Sequence, residues 1–173
     1  MLSTFSRNTL IASTLLVSAS LLVGPAAFAQ VSDNGEVSGE VQEVNTITFA
    51  PATLTEITSG AAVASYPMGN LTIQNNAAAG WDLEVQSLNG GKLVNGAQSI
   101  TYTDLTVAAI AGATITPVDL ATAATDELLA TAPYSTEVAG EITRAVTATM
   151  AADQFVPVGV YTDTLTFTLT SKL

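Results

Sequence analysis

Asp82 and Glu84 are the two residues of this sequence best spaced to act as a chemical pair. They stand two apart in "GWDLEVQSL", and residues two apart on a strand share a face. Two carboxylates on one face are the minimum for glycoside hydrolysis, one as acid and one as base or nucleophile. Their surroundings argue against that use. Alternating polar residues are the ordinary solvated side of a strand, and a single tryptophan builds no aromatic cleft for a sugar. No other catalytic set is better supplied. The chain has no histidine and no cysteine, so Ser–His–Asp triads, cysteine nucleophiles and the common zinc sites lack their base and ligands. A serine–lysine dyad would have to draw on Lys92, in a turn, or Lys172, beside the last residue. Gly90-Gly91 suits a hairpin turn better than a phosphate loop. The expectation is a protein that is not an enzyme and carries no cofactor. Calcium is the one ion its carboxylates would suit. Asp33, Asn34 and Glu36 cluster, as do Asp126 and Glu127, but neither stretch has EF-hand spacing and solvated turns explain both.

Charge narrows the partners. Fifteen acidic residues face four basic ones. So few cations cannot track a phosphate backbone, which argues against nucleic acid, and an anionic membrane surface would repel the chain. Residues 1–29 read as a secretory signal: Arg7 supplies the positive start, Leu10 to Val23 the apolar stretch, and Ala27-Phe28-Ala29 the small-x-small cleavage site. Residues 30–173 are then expected to form one domain, outside the cell or on its surface. Without cysteine, that domain must be held by apolar packing and strand ladders alone. No later segment is long and apolar enough to span a bilayer.

The elements that would position these residues are short strands broken by turns, the pattern of an all-β sandwich. The chain nearly closes on "YTDTLTFTLTS", where Thr162, Thr164, Thr166, Thr168 and Thr170 alternate with Asp163, Leu165, Phe167 and Leu169. Leu165, Phe167 and Leu169 should face the core and the threonines water, with Asp163 at a solvated start. A threonine row can also order water at an ice surface, but that needs several matching strands, and only this one is so regular. Trp81, Leu83 and Val85 share another apolar face. "NLTIQNN" and "GWDLEVQSL" read as two strands of a hairpin. "ATLTEIT" reads as a short strand, and "SITYTDLTVAAI" as a longer one. Residues 117–133, with a proline at each end and helix formers between, predict a short helix or an irregular crossover.

Two stretches resemble known families. "PVGVYTDTLTFTLT" resembles the closing strand of spore-coat-U-type and related chaperone–usher pilin domains, through Gly159, Tyr161, Asp163 and Thr164. "NLTIQNNAAAGWDLEVQS" is similar to WxL-domain proteins of bacterial surfaces. Trp81-Asp82-Leu83 is a literal W-x-L, and Phe167-Thr168-Leu169 stands where that family has a second motif. The first family commonly carries cysteines and the second keeps its second tryptophan, and this chain has neither. Both resemblances imply a secreted, non-catalytic, Ig-like antiparallel β-sandwich. The pilin likeness implies a fibre or coat subunit whose partners are other subunits. Its exchangeable strand would be residues 30–44, with Val37, Gly39 and Val41 at alternate positions. The WxL likeness implies a wall-associated module that binds cell-wall polymer. On either reading, Val37, Val41, Trp81, Leu83, Tyr161, Leu165, Phe167 and Leu169 are the candidate core and assembly residues.

Overall fold

The computed structural model describes residues 35–53, 55–122 and 125–173. The expected signal and the Asp33-Asn34 pair lie outside them. The described residues form nine strands and one short helix: β1 (Asn45–Pro51), β2 (Val63–Asn75), β3 (Trp81–Ser87), β4 (Lys92–Asn95), β5 (Gln98–Val107), β6 (Thr114–Ile115), β7 (Glu127–Ala132), α1 (Thr136–Ala139), β8 (Ile142–Met150) and β9 (Leu165–Ser171). The strands make two antiparallel sheets, ordered β1-β2-β8-β5-β4 and β6-β7-β3-β9. The fold is therefore all-β and sandwich-like.

Alternation puts the core between the sheets. On β3, Trp81, Leu83, Val85 and Ser87 are buried while the residues between them stay half-exposed. The first sheet answers with Leu71, Ile73, Tyr102, Leu105, Val146 and Met150, all buried. Each such side chain contributes about 1.5–3 kcal/mol of apolar burial. On β5 the apolar spacing slips by one residue between Tyr102 and Leu105. A bulge between Thr103 and Thr106 absorbs the slip, with Asp104 at φ 48°, so both halves of the strand face inward. β4 and β5 form a tight hairpin in which Asn95 faces Gln98, and Gly96 supplies the positive φ, 57°, that such a turn needs.

Several expectations change. The strands of "NLTIQNN" and "GWDLEVQSL" do not form a hairpin, because β2 and β3 belong to different sheets. The link between them is a corner. The Asn75 carboxamide oxygen accepts from the Ala77 N–H at 3.0 Å, an Asx turn that redirects the chain. Gly80, at φ 97°, lies where a Cβ would strike the Ala132 carbonyl. In 117–133 there is no helix among the described residues. Val118 bridges to Leu105, and Glu127–Ala132 becomes β7 against β3. Burial of Leu129, Ala130 and Ala132 outweighs the local helix propensity. The helix comes after Pro133 instead. The described residues of "ATLTEIT" form no strand, and neither do residues 35–44. The first strand begins at Asn45. Val37 and Val41, at 97% and 87% exposure, are thus outside the core.

Candidate assembly edge

β9 ends its sheet, and its register says which backbone groups are left over. The Leu88 N–H donates to Thr164 O at 3.0 Å, and the Lys172 N–H to Gly80 O at 2.9 Å. Bonded pairs alternate in an antiparallel ladder, so Thr166, Thr168 and Thr170 bond to β3. The N–H and C=O groups of Leu165, Phe167 and Leu169 point to the open side. Asn45 Nδ2 caps one of them, Leu169 O, at 3.1 Å.

β1 repeats the arrangement on the facing sheet. Asn76 N–H donates to Val44 O at 3.2 Å and Ala52 N–H to Met68 O at 3.0 Å, which leaves the backbone of Ile47 and Phe49 outside the ladder. The Phe49 and Phe167 rings meet with centroids 4.8 Å apart and planes tilted by 44°. Among the described residues, two unpaired edges therefore border one seam. Its side chains are apolar and incompletely covered: Ile47, Phe49, Leu165 and Phe167 are all half-buried against the core.

At the Leu165 end the seam opens into a cavity of about 340 Å³, bordered by Phe49, Met68, Leu93, Tyr161 and Leu165. Tyr66 and Tyr161 also border a second cleft, of about 470 Å³, walled by Ile57, Ile100 and Val156. The loop beside it leaves Phe155, Val158 and Val160 exposed. The Tyr66 hydroxyl donates to Thr55 O at 3.1 Å and the Tyr161 hydroxyl to Pro157 O at 2.8 Å.

Each end of β9 is pinned by polar side chains. At the far end, buried Asn75 donates to Ser171 Oγ at 2.9 Å. Next to it, Asn76 accepts from the Val44 N–H at 2.7 Å and donates to Gln42 O at 2.8 Å, which fixes the point where the N-terminal arm joins the fold. At the near end stands Asp163, which is half-buried and not at a solvated start. Its Oδ2 accepts from Tyr102 OH at 2.5 Å and from Ser87 Oγ at 2.6 Å. Its Oδ1 accepts from the N–H groups of Asn89 at 3.1 Å and Thr164 at 2.7 Å. Burial first, then the Asp163 carboxylate, pushes the Tyr102 phenol well above the usual tyrosine range.

The other sequence candidates take up different places. Trp81 and Leu83 are fully buried, Leu169 nearly so, and Tyr161, Leu165 and Phe167 are half-buried. Leu83 faces Leu169 across the β3–β9 ladder, so the Trp81-Asp82-Leu83 and Phe167-Thr168-Leu169 tripeptides meet only at their last residues. Asp82 does not form a free pair with Glu84. Its Oδ1 accepts from Thr131 Oγ1 at 2.5 Å and lies 3.0 Å from Lys172 Nζ. Those contacts, the Thr131 bond first, hold its carboxyl below the usual range. Arg144 pairs with Glu137 and donates to Ala109 O at 2.9 Å. Among the described residues, no three carboxylates gather as a metal site would need. Ser87 and Tyr102 were not singled out by sequence. The chain matches no family model, no curated protein and no solved structure.

Proposed function

We propose that this protein is a secreted, non-catalytic structural subunit of a surface fibre or coat, in which one copy's N-terminal arm completes the open edge of the next. The observation that carries this reading is the seam. Among the described residues, β9 leaves the backbone of Leu165 and Phe167 unpaired beside half-buried apolar side chains, and an added strand satisfies both deficits at once. On the donor side, the described arm residues make no strand of their own and leave Val37 and Val41 exposed.

The two ends suit head-to-tail stacking. The arm joins the fold beside Asn76, at the Ser171 end of β9, whereas the cavity opens at the Leu165 end. A copy stacked on that open end would lay its arm antiparallel to β9. Val37, Gly39 and Val41 would then face the seam in turn, and Gly39 would have room beside the Phe49–Phe167 ring pair. A heterologous contact of this kind does not close on itself, so it grows into a filament.

The test is the mass in solution of residues 30–173 by light scattering, with negative-stain images of the same sample. Concentration-dependent fibres, lost on deleting residues 30–44 while the remainder stays folded, are expected. A stable monomer would overturn the reading. A WxL-like wall-binding module is the second reading, favoured by exposed Phe155, Val158 and Val160 around the larger cleft. It predicts co-sedimentation of the monomer with isolated cell walls.

A further inference from the structure

We propose that Asp163 is the positioning residue of the open edge, holding residues 162–165 so that the mouth of the seam exists before any strand arrives. This rests on the strand-addition reading for its purpose, but the contacts stand by themselves. Residue 162 is still paired with the first sheet: Val94 N–H donates to Thr162 O at 2.8 Å and Thr162 N–H to Val94 O at 3.0 Å. Residue 164 is already paired with β3 in the second sheet, through Leu88 N–H. The chain changes sheets across a single residue, and that residue is Asp163.

Its carboxylate takes donors from three places at this corner: Ser87 and Asn89 at the end of β3, Tyr102 on β5, and Thr164 beside it. Ser87 Oγ in turn accepts from the N–H groups of Asn89 at 3.2 Å and Gly91 at 2.9 Å. The β3–β4 turn, β5 and the start of β9 thus converge on one carboxylate. Thr162, Asp163, Thr164 and Leu165 all border the 340 Å³ cavity, so loosening this corner would collapse or splay the cavity while leaving the centre of the sandwich intact. Tyr102 is the titratable side chain bonded to Asp163, and Lys92 at the start of β4 is exposed.

The experiment is amide hydrogen exchange on residues 30–173, below the assembly concentration, with Trp81 fluorescence as the check on folding. In Asp163→Asn, protection at Leu88, Val94 and Thr162 should fall about tenfold or more, as loss of charge-assisted bonds implies. Protection at Leu83 and Glu84 should hold. Tyr102→Phe, which keeps the carboxylate and removes one donor, should show a smaller loss at the same positions and serves if Asp163→Asn does not fold. Unchanged protection at the corner, or a loss spread evenly through β3, would overturn the proposal.

Assembly rates then separate the two ideas. Growth about tenfold slower in Asp163→Asn supports the positioning role. A loosened corner with normal growth overturns that role and leaves strand addition standing. A natural chain that never assembles overturns strand addition, and with it the purpose assigned to Asp163.

Discussion

β3 and β9 lie side by side and carry nearly the same alternation, yet one is finished and the other is not. β3 is paired on both edges, and every inward side chain on it is buried. Among the described residues, β9 is paired on one edge, and of its inward side chains Leu169 is buried while Leu165 and Phe167 are half-covered. A period of two fixes which face a residue takes. It carries no information about whether a neighbour stands beside the strand. The proposed function rests on that second property, which becomes visible only once the sheet order is known.

The largest effect should separate the two strands directly. Leu83→Ala, in the middle of β3, should cost about 2–5 kcal/mol by denaturant unfolding. Phe167→Ala removes a larger side chain but from a half-open site, so about 1–3 kcal/mol is expected. A Phe167 cost above that of Leu83 would mean the seam is closed in solution. In the assembled state the order should reverse if a donated strand covers Phe167. That reversal, measured as the loss of fibre stability per subunit, would be the sharpest support for an edge that is completed by another copy.

The same comparison shows what was legible in the sequence. The inward face of β9 and the outward threonines follow from alternation, as do Trp81 and Leu83. Alternation also held a signal that is easily passed over. Asp163 and Ser171 share the parity of Leu165, Phe167 and Leu169, Ser87 shares that of Trp81, and Asn75 that of Ile73. Four polar residues at strand ends therefore had to point inward. Buried polar groups find partners, and these find one another, as Ser87 with Asp163 and Asn75 with Ser171. Which polar end meets which was not legible, because it depends on pairing strands far apart in sequence. The sheet change between β2 and β3 was hidden for a related reason: a polar, glycine-containing link serves a hairpin or a corner equally well. The strand at β7 was hidden because its neighbours, not its own propensities, decide its state.

The inner polar corner should show itself at high pH. Tyr102 has a folded-state pKa above its unfolded value. Its contribution is therefore complete below about pH 10, the unfolded value, and is lost as pH rises from there. Tyr66, also raised by burial, adds to the same loss. Tyr102→Phe should flatten most of the alkaline fall in melting temperature, at some cost near neutrality from the bond to Asp163. An alkaline fall that survives in both Tyr102→Phe and Tyr66→Phe would place its source elsewhere.

On the outer face of the same two strands the effects should shrink. Asp82, whose carboxyl is held low, contributes above its unfolded value and loses that contribution as pH falls through the folded one. The group and its Lys172 partner are each about one-third exposed, at 35% and 33% of the side chain, so solvent screens the pair. Lys172→Met should cost about 0.2–1 kcal/mol, less in high salt. A larger or salt-independent loss would show that Lys172 acts through the Thr131 bond and not through its charge.

Thr166→Ser should be the smallest change and tests the outward face of β9 alone. Thr166 is exposed, bonds through its backbone to Gln86, and offers its side chain to water. Serine keeps the hydroxyl and gives up the methyl that stiffens the strand. The expected loss is within about 0.5 kcal/mol, and the unpaired groups on Phe167 and Leu165 are untouched, so assembly should proceed at its natural rate. A marked loss of folding stability would mean the threonine row is covered and the strand's faces are reversed. Normal stability with impaired assembly would move the contact between copies from the edge of β9 to its threonine face.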